Sequence, residues 1–515
     1  MTGTSSSPCT HLLQSNEAPT EAEIPPIQLF ISENQSRLDA LDVQIDDLRA
    51  QMQRLQSERA TVEDCIHSHR AVLSAVRRVP HELITEIFVW TLGGQTWFRP
   101  PWYLAFICRS WRGIALSTPC LWSFLLLGGT PPHSLARTSS ILETLLYRSS
   151  NAPLDIMISC YAWDMYAAQL DMLSAHRNRW RTLRIHTQTC AKSPGIFNCR
   201  WLAGVKGQLS QLMTFEYITS EQSNEAADGK KDLHFLSVAP RLRRLFLTSP
   251  STTIFSPQLL FPSTQITHYF AKSKAAVHRE ILSAAPNLVE CILACGNSYK
   301  TSEPSLPTNG IVSLPRLRRL RVENSSILEH LSAPSLQHLV LQGNFDAAPS
   351  FVERSSCVLQ QLMFTGRSNS PASTFLSLLL ALPKLEHLIS EMGQYLVADP
   401  PSITEVVRSG MTITDSPDDL LPNLKLLACF WSDDKSADEM ESLWTMIESR
   451  HGPSSVHPLQ TFRLLVEPWS SGWTKEAQNI INEFDGMDAK LLSGRDKQCF
   501  LDEHHGFPEY GFRWN

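Results

Sequence analysis

A short apolar block of the form Leu-x-x-Leu-x-Leu recurs from residue 180 onward, and it limits the possible folds more than any other feature. It reads PRLRRLFL from Pro240, PNLVECIL from Pro286, PRLRRLRV from Pro315, PSLQHLVL from Pro334, PKLEHLIS from Pro383 and PNLKLLAC from Pro422. Looser copies start at Trp180, Leu212, Leu359 and Leu459. The stretches upstream alternate in period: residues 123–129 and 153–160 read as strands, 134–149 and 163–180 as amphipathic helices. Strands taking turns with helices favour parallel crossover units. One strand with one helix cannot hide both of its apolar faces, whereas stacked neighbours bury a shared ladder of Leu. The expected fold class is therefore α/β, with a repetitive parallel-strand array over residues 123–485 and a cap or tail over 486–515.

Steps between blocks run from 19 to 46 residues, and the shorter ones bracket the period of leucine-rich repeats. One copy, Leu336, Leu339, Leu341 and Asn344, fits Leu-x-x-Leu-x-Leu-x-x-Asn in full. An irregular leucine-rich-repeat-like solenoid is expected, with a non-solenoid α/β domain as the alternative. In such strands alternate residues leave the core, which aims Arg244, Phe246, Arg319, Arg321, His338, Met363 and His387 at one concave surface. Arg244, Arg319, Arg321 and His338 are the candidate target-binding residues. With Arg241, Arg243, Arg316 and Arg318 they concentrate positive charge that could hold an acidic or phosphorylated target through bidentate contacts. The plainer reading is a solvated face.

The amino-terminal region is built differently. Residues 1–35 carry few large apolar groups and are expected as a disordered tail. Over 36–76, Leu38, Leu41, Ile45, Leu48, Met52, Leu55, Arg59, Val62, Ile66, His69, Leu73 and Val76 fall alternately three and four residues apart, a heptad seam without Pro or Gly. Asp39, Asp42, Asp46, Asp47, Arg49, Arg54 and Glu58 charge its outer positions, so a coiled-coil helix that self-associates is expected.

Residues 77–122 hold two further apolar stripes. Pro80 opens a helix carrying Leu83, Ile84, Ile87, Phe88 and Leu92, which Gly93 and Gly94 stop. Leu104, Ile107, Trp111, Ile114 and Ala115 form the second stripe, followed by Leu121 and Trp122. So small a helical unit gains little from its own core, and partner binding is the usual remedy.

The runs VPHELITEIF, ICRSWRGIA and LW resemble the F-box, with Val79, Ile107 and Arg109 as mild departures. Together with the preceding heptad helix they look like the F-box-like proteins of mushroom-forming fungi. The resemblance implies a substrate-recognition subunit of a Skp-cullin-F-box ubiquitin ligase. In it Pro80 fixes the entry turn of the adaptor-binding unit, Leu83, Ile84, Ile87 and Phe88 offer the surface that binds the Skp adaptor, Trp111, Leu121 and Trp122 pack the unit or extend that surface, and the repeat region binds a target protein. A coiled-coil and repeat scaffold without a ligase role is the alternative.

Composition narrows the remaining classes. Forty-five Lys and Arg against 51 Asp and Glu leave a net charge of -6, which offers no general attraction for nucleic acid or anionic membrane. The 12 cysteines include no Cys-x-x-Cys pair, and no signal peptide or long apolar run is present, so a cytoplasmic or nuclear location is expected. No phosphate-binding loop, dinucleotide fingerprint, nucleophile elbow or His-Glu-x-x-His helix occurs. The adjacent His504 and His505 lack companions at ligand spacing, and Gly93, Gly94 and Gln95 are short enough to arise by chance. No catalytic residue, metal or cofactor is expected; an unfamiliar active site beyond residue 150 is the rival view.

Overall fold

The computed structural model describes residues 7–93, 101–128, 135–160, 166–187, 204–219, 234–248, 261–273, 275–295, 310–366, 368, 370–391, 410–413, 419–431, 437–451, 458–466, 474–484 and 486–504. Two compact units emerge, Met1–Gly93 and Gly94–Asn515. Their boundary falls inside residues 77–122, so the segment expected as one helical domain is divided between them.

The first unit contains α1 (Ile24–Val72) and α2 (His81–Gly93). Helix α1 begins well before residue 36, which corrects the expected tail boundary of 35. Its first turn holds Pro25 and Pro26, at positions where a missing N–H loses no partner. It ends at Val72, before the expected 76, and a 3-10 turn, Ala75–Arg78, leads to Pro80.

In the second unit the second stripe is divided between two helices. Helix α3 (Trp102–Ile107) and α4 (Arg109–Ser117) meet at Cys108, whose extended backbone (φ -156°, ψ 169°) lets its Sγ accept from the Trp111 N–H at 3.4 Å. A 3-10 turn, Pro119–Trp122, then feeds β1 (Phe124–Gly128). There follow α5 (Leu135–Arg148), β2 (Leu154–Cys160), α6 (Ala167–Ala175), β3 (Trp180–Thr187), β4 (Thr214–Thr219), β5 (Arg244–Thr248), β6 (His268–Ser273), α7 (Ala275–Ala284) and β7 (Glu290–Cys295). Next come β8 (Val312–Ser313), β9 (Arg319–Val322), β10 (Leu331–Ser332), β11 (His338–Gln342), α8 (Ala348–Ser355), β12 (Gln361–Thr365), α9 (Ala372–Leu380) and β13 (His387–Glu391). The chain continues through β14 (Leu426–Trp431), α10 (Ala437–His451), β15 (Thr461–Val466), α11 (Thr474–Glu483), β16 (Asp488–Leu492) and α12 (Gly494–His504).

Fourteen of these strands form a single parallel sheet in chain order, with β8 and β10 pairing separately. This is the solenoid-like α/β arrangement that the recurring block predicts. Strand β16 extends it past the expected end at 485. One row of cross-strand partners runs from Leu125 in β1 through Leu245, Leu320, Leu339 and Leu388 to Ala489 in β16, on the face packed against the helices. Burying each such Leu contributes about 1.5–3 kcal/mol.

The recurring Pro also finds its reason. In Ala239-Pro240-Arg241-Leu242 the Leu242 N–H donates to the Ala239 carbonyl at 3.1 Å, and the same bond closes the blocks at Leu288, Leu317, Leu336, Leu385 and Leu424. Pro therefore occupies the second position of a β-turn, where its fixed φ suits the backbone. The residue before Pro and the one two after it are buried, so each turn is anchored in the core at both ends while the Pro itself is exposed. The full Leu-x-x-Leu-x-Leu-x-x-Asn copy departs at its last position. Asn344 is exposed, and Phe345 is the buried residue, its ring 5.1 Å from Phe364 and 6.0 Å from Phe375.

Arg450 in α10 is a buried cation whose guanidinium is bound by backbone carbonyls. Its Nε donates to the Met411 carbonyl at 2.6 Å, Nη1 to Leu421 at 2.9 Å and Nη2 to Leu420 at 2.5 Å. Burial pulls its pKa down to about 10. It clamps the turn before Pro422, where Leu421 takes the left-handed conformation (φ 51°).

Two stability outcomes follow from this packing. Leu339→Ala should cost about 2–5 kcal/mol in urea unfolding, because the void lies between two neighbouring strands. Arg450→Leu should cost at least as much, since each orphaned buried carbonyl is worth about 1–3 kcal/mol; a loss below about 1 kcal/mol would show that the clamp is dispensable.

Candidate docking surfaces

Helix α2 is apolar around much of its circumference, and the structure divides its stripe. Ile84 and Phe88 are buried, which removes both from the directly accessible adaptor set. Leu83 and Ile87 are 56% and 52% exposed, and Trp90, which the sequence reading left out, is 79% exposed. These three are spaced four and three residues apart and so share one helix face. Pro80 is exposed at the entry to the helix. The Gly93-Gly94-Gln95 triplet falls mostly outside the described residues.

In the second unit, Leu121 and Trp122 are buried, so they are core residues and not an exposed extension of a docking surface. The Trp122 indole N–H donates to the Ala115 carbonyl at 2.6 Å, its ring lies 5.6 Å from Trp102, and the Arg148 guanidinium of α5 stacks 4.4 Å above it. Burying an indole requires a partner for its one donor, and α4 provides it. Trp180 repeats the arrangement with the Leu173 carbonyl at 3.2 Å. Trp111 is half-buried, while Phe106 and Ile107 on α3 are exposed.

The sheet face opposite the helices carries the residues expected for target binding, in the expected alternation. Arg244, His268, Glu290, Arg319, His338, Gln361 and His387 form one cross-strand row, each half-buried except the buried Gln361. The charge in this row is mixed. Arg319 Nη1 lies 3.0 Å from Glu290 Oε1, and the buried Glu216 takes Arg184 at 3.2 Å and His186 at 2.6 Å. Arg321 donates through Nη2 to Gln342 Oε1 at 2.9 Å. Arg241, Arg243, Arg316 and Arg318 lie in the exposed turns that precede β5 and β9.

Phe246 and Met363 sit on this face as expected but are buried. Phe246 clusters with Phe270 and Ile292, the two rings 4.6 Å apart. Met363 lies in a second apolar cluster with Val340, Ile389, Leu426 and Leu465, covered by Phe500 and Leu501 of α12. This is the main feature that sequence reading missed. The Lys497 ammonium sits 4.6 Å over Phe430, and Gln361 donates to the His504 carbonyl. Gln361 also meets His338, Nδ1 to Oε1 at 3.1 Å, so one proposed target residue borders the covered zone. A pointer existed in Phe500 and Leu501, adjacent large apolar residues in an otherwise polar helix.

Among the described residues no group of three His, Cys, Asp or Glu could hold a metal, and no helix is long and apolar enough to cross a membrane. His504 stacks on Phe500 at 4.2 Å; His505, the aromatic tail 506–515 and most of the polar insertions lie outside the described residues. No known protein-family model matches the chain, and no curated protein matches it.

Docking of α12 should depend on pH. Burial is the main cause that lowers the pKa of His338 and His387; Arg319 and His387 add to it at the first, and His504 and Lys425 at the second. Gln361 and Glu386 oppose the shifts. A histidine whose folded pKa is depressed gives stability that is present above the unfolded value near 6.5 and is lost as pH falls below it. Amide exchange over residues 494–504 should therefore accelerate between pH 7 and pH 5 relative to that of β3, after correction for intrinsic rates. Equal protection at both pH values would count against this coupling.

Proposed function

We propose that the chain is the substrate-recognition subunit of a Skp-cullin-F-box ubiquitin ligase. Exposed Leu83 and Ile87 on α2 carry this reading, because they stand at F-box-like positions and leave an apolar face in water. Burial of such side chains is what a docking partner contributes. Trp90 on the same face joins the docking set. Pro80 shapes the entry, and Ile84 and Phe88 form the buried side of the stripe. Trp111 packs the α3–α4 corner, and Leu121 and Trp122 fix the joint to the sheet.

The parallel-strand array acts as an irregular leucine-rich-repeat-like target receptor. Its buried Leu rows and Pro turns support that reading, while the exposed Asn344 departs from the repeat pattern. Target binding falls to the mixed-charge face around Arg244, Arg319, Arg321 and His338, where Glu290 selects for polar complementarity over plain acidity. Chemistry belongs to the partner complex, and this chain supplies proximity.

Replacing Leu83 and Ile87 together by Asp should reduce recovery of the Skp adaptor with the full-length chain at least tenfold, with the circular dichroism spectrum unchanged. Undiminished recovery from a folded variant would refute the adaptor role and leave a scaffold.

A further inference from the structure

Helix α1 runs 49 residues without one buried side chain. A helix of this length is normally held by packing on an apolar face, yet Leu38, Leu41, Ile45, Leu48, Met52, Leu55, Val62 and Ile66 are all exposed. A shallow groove lined by Leu48, Gln51, Met52, Leu55, Gln56 and Arg59 follows the middle of this seam, a receptive hole for a partner's knob. With Leu38 as a heptad a position, the flanking e positions are Asp42, Arg49, Gln56, Glu63 and Arg70, and the g positions include Arg37, Gln51, Glu58 and Cys65.

We infer that α1 pairs with a second copy of itself in antiparallel orientation, centred on Ser57. In that register Ile45 faces His69, Leu48 faces Ile66, Met52 faces Val62 and Leu55 faces Arg59 of the other chain. Antiparallel helices bring e against e, which sets Asp42 against Arg70 and Arg49 against Glu63, each pair occurring twice by symmetry. The two Glu58 carboxylates meet at the centre, flanked by both Arg59 side chains. Charged e and g positions decide orientation and partner in coiled coils, and here they discriminate sharply. A parallel pair would stack Arg59 on Arg59 in one core layer and oppose Glu58 to Glu63 on both sides, with Arg37–Asp42 as its attractive contact. Sliding the antiparallel pair by one heptad would oppose Asp42 to Glu63 in one direction, or Arg49 to Arg70 in the other. In the single chain Arg49 and Glu63 rest on Asp46 (3.1 Å) and Arg59 (2.8 Å), exposed pairs that exchange readily.

The inference rests on α1 alone and is independent of the adaptor reading. Sedimentation equilibrium of the full-length chain should give twice the monomer mass. Glu63→Arg should raise the dimer dissociation constant about fourfold, since two attractive pairs become repulsive, and combining it with Arg49→Glu should restore it. A parallel dimer predicts the opposite sign, because the new Arg would face Glu58. Met52→Cys and Val62→Cys chains, each also carrying Cys65→Ser and tags of different size, should form a disulfide across α1 with each other but not with themselves. A monomeric wild-type chain, a tighter or unchanged Glu63→Arg dimer, or self-crosslinking of the Met52→Cys chain overturns the proposal.

Discussion

Parallel strands have no short-range partner: each must wait for a crossover before its neighbour arrives. In the larger unit every strand therefore depends on the next one, and the Leu row from β1 to β16 is the interaction that makes the stack continuous. The recurring block supplies both halves of the solution. Its Leu residues fill the helix-side face, and its Pro turn, anchored by a buried residue at each end, delivers each strand at the same height as the last. Variable step length leaves the row unbroken, since the strand partners stay in register across short and long steps alike.

The opposite face has no such uniform rule, and its two ends diverge. Through β7 and β9 it carries ion pairs whose members come from successive strands, such as Glu290 with Arg319. The neighbouring row, which starts with Phe246, Phe270 and Ile292, passes Arg321 and continues through Val340, Met363 and Ile389, where α12 lies over it. The uncovered part of this face is thereby shortened to the amino-terminal part of the sheet, with His338 and Gln361 at its border. Because half-buried paired charges contribute modestly on their own, recognition there would draw on the shape of the row more than on net charge.

Much of this was legible in the sequence, and the failures have physical causes. The parallel array, β1, β2, α5 and the outward alternation of Arg244, Arg319 and His338 could be read because period-2 and turn signals are local. Cys108 was not read as a break: a Cys can cap through its sulfur, but the residue type does not announce it. The mixed charge of the row was not legible because Glu290 sits in another block, 29 residues from Arg319 along the chain. Leu121 and Trp122 looked available for docking since burial is a tertiary property; Trp122 is claimed by Ala115, Trp102 and Arg148. Arg450 was invisible for the same reason, its three acceptors being backbone carbonyls that every residue possesses. At the candidate site, the helix and its stripe were legible, but which side of the stripe faces water was not.

Magnitudes connect the two halves of the molecule's proposed behaviour. Covering Leu83, Ile87 and Trp90, which are 52–79% exposed, would contribute at most roughly 1.5–3 kcal/mol each. That gross gain of at most about 5–9 kcal/mol is comparable to the cost of immobilising a partner, about 4–15 kcal/mol. The stripe on α2 is thus too small to hold an adaptor tightly without further contacts. Pairing of α1 alters that balance. Two chains joined antiparallel carry two copies of the stripe, with the helix ends that lead to them about 45 Å apart, at ~1.5 Å per residue over roughly 30 residues. A partner able to engage both copies gains effective concentration without any new contact, whereas a monovalent adaptor gains nothing. Weak individual docking and a long pairing helix are therefore complementary properties: the first leaves room for exchange, and the second restores occupancy only where two partner sites lie within reach.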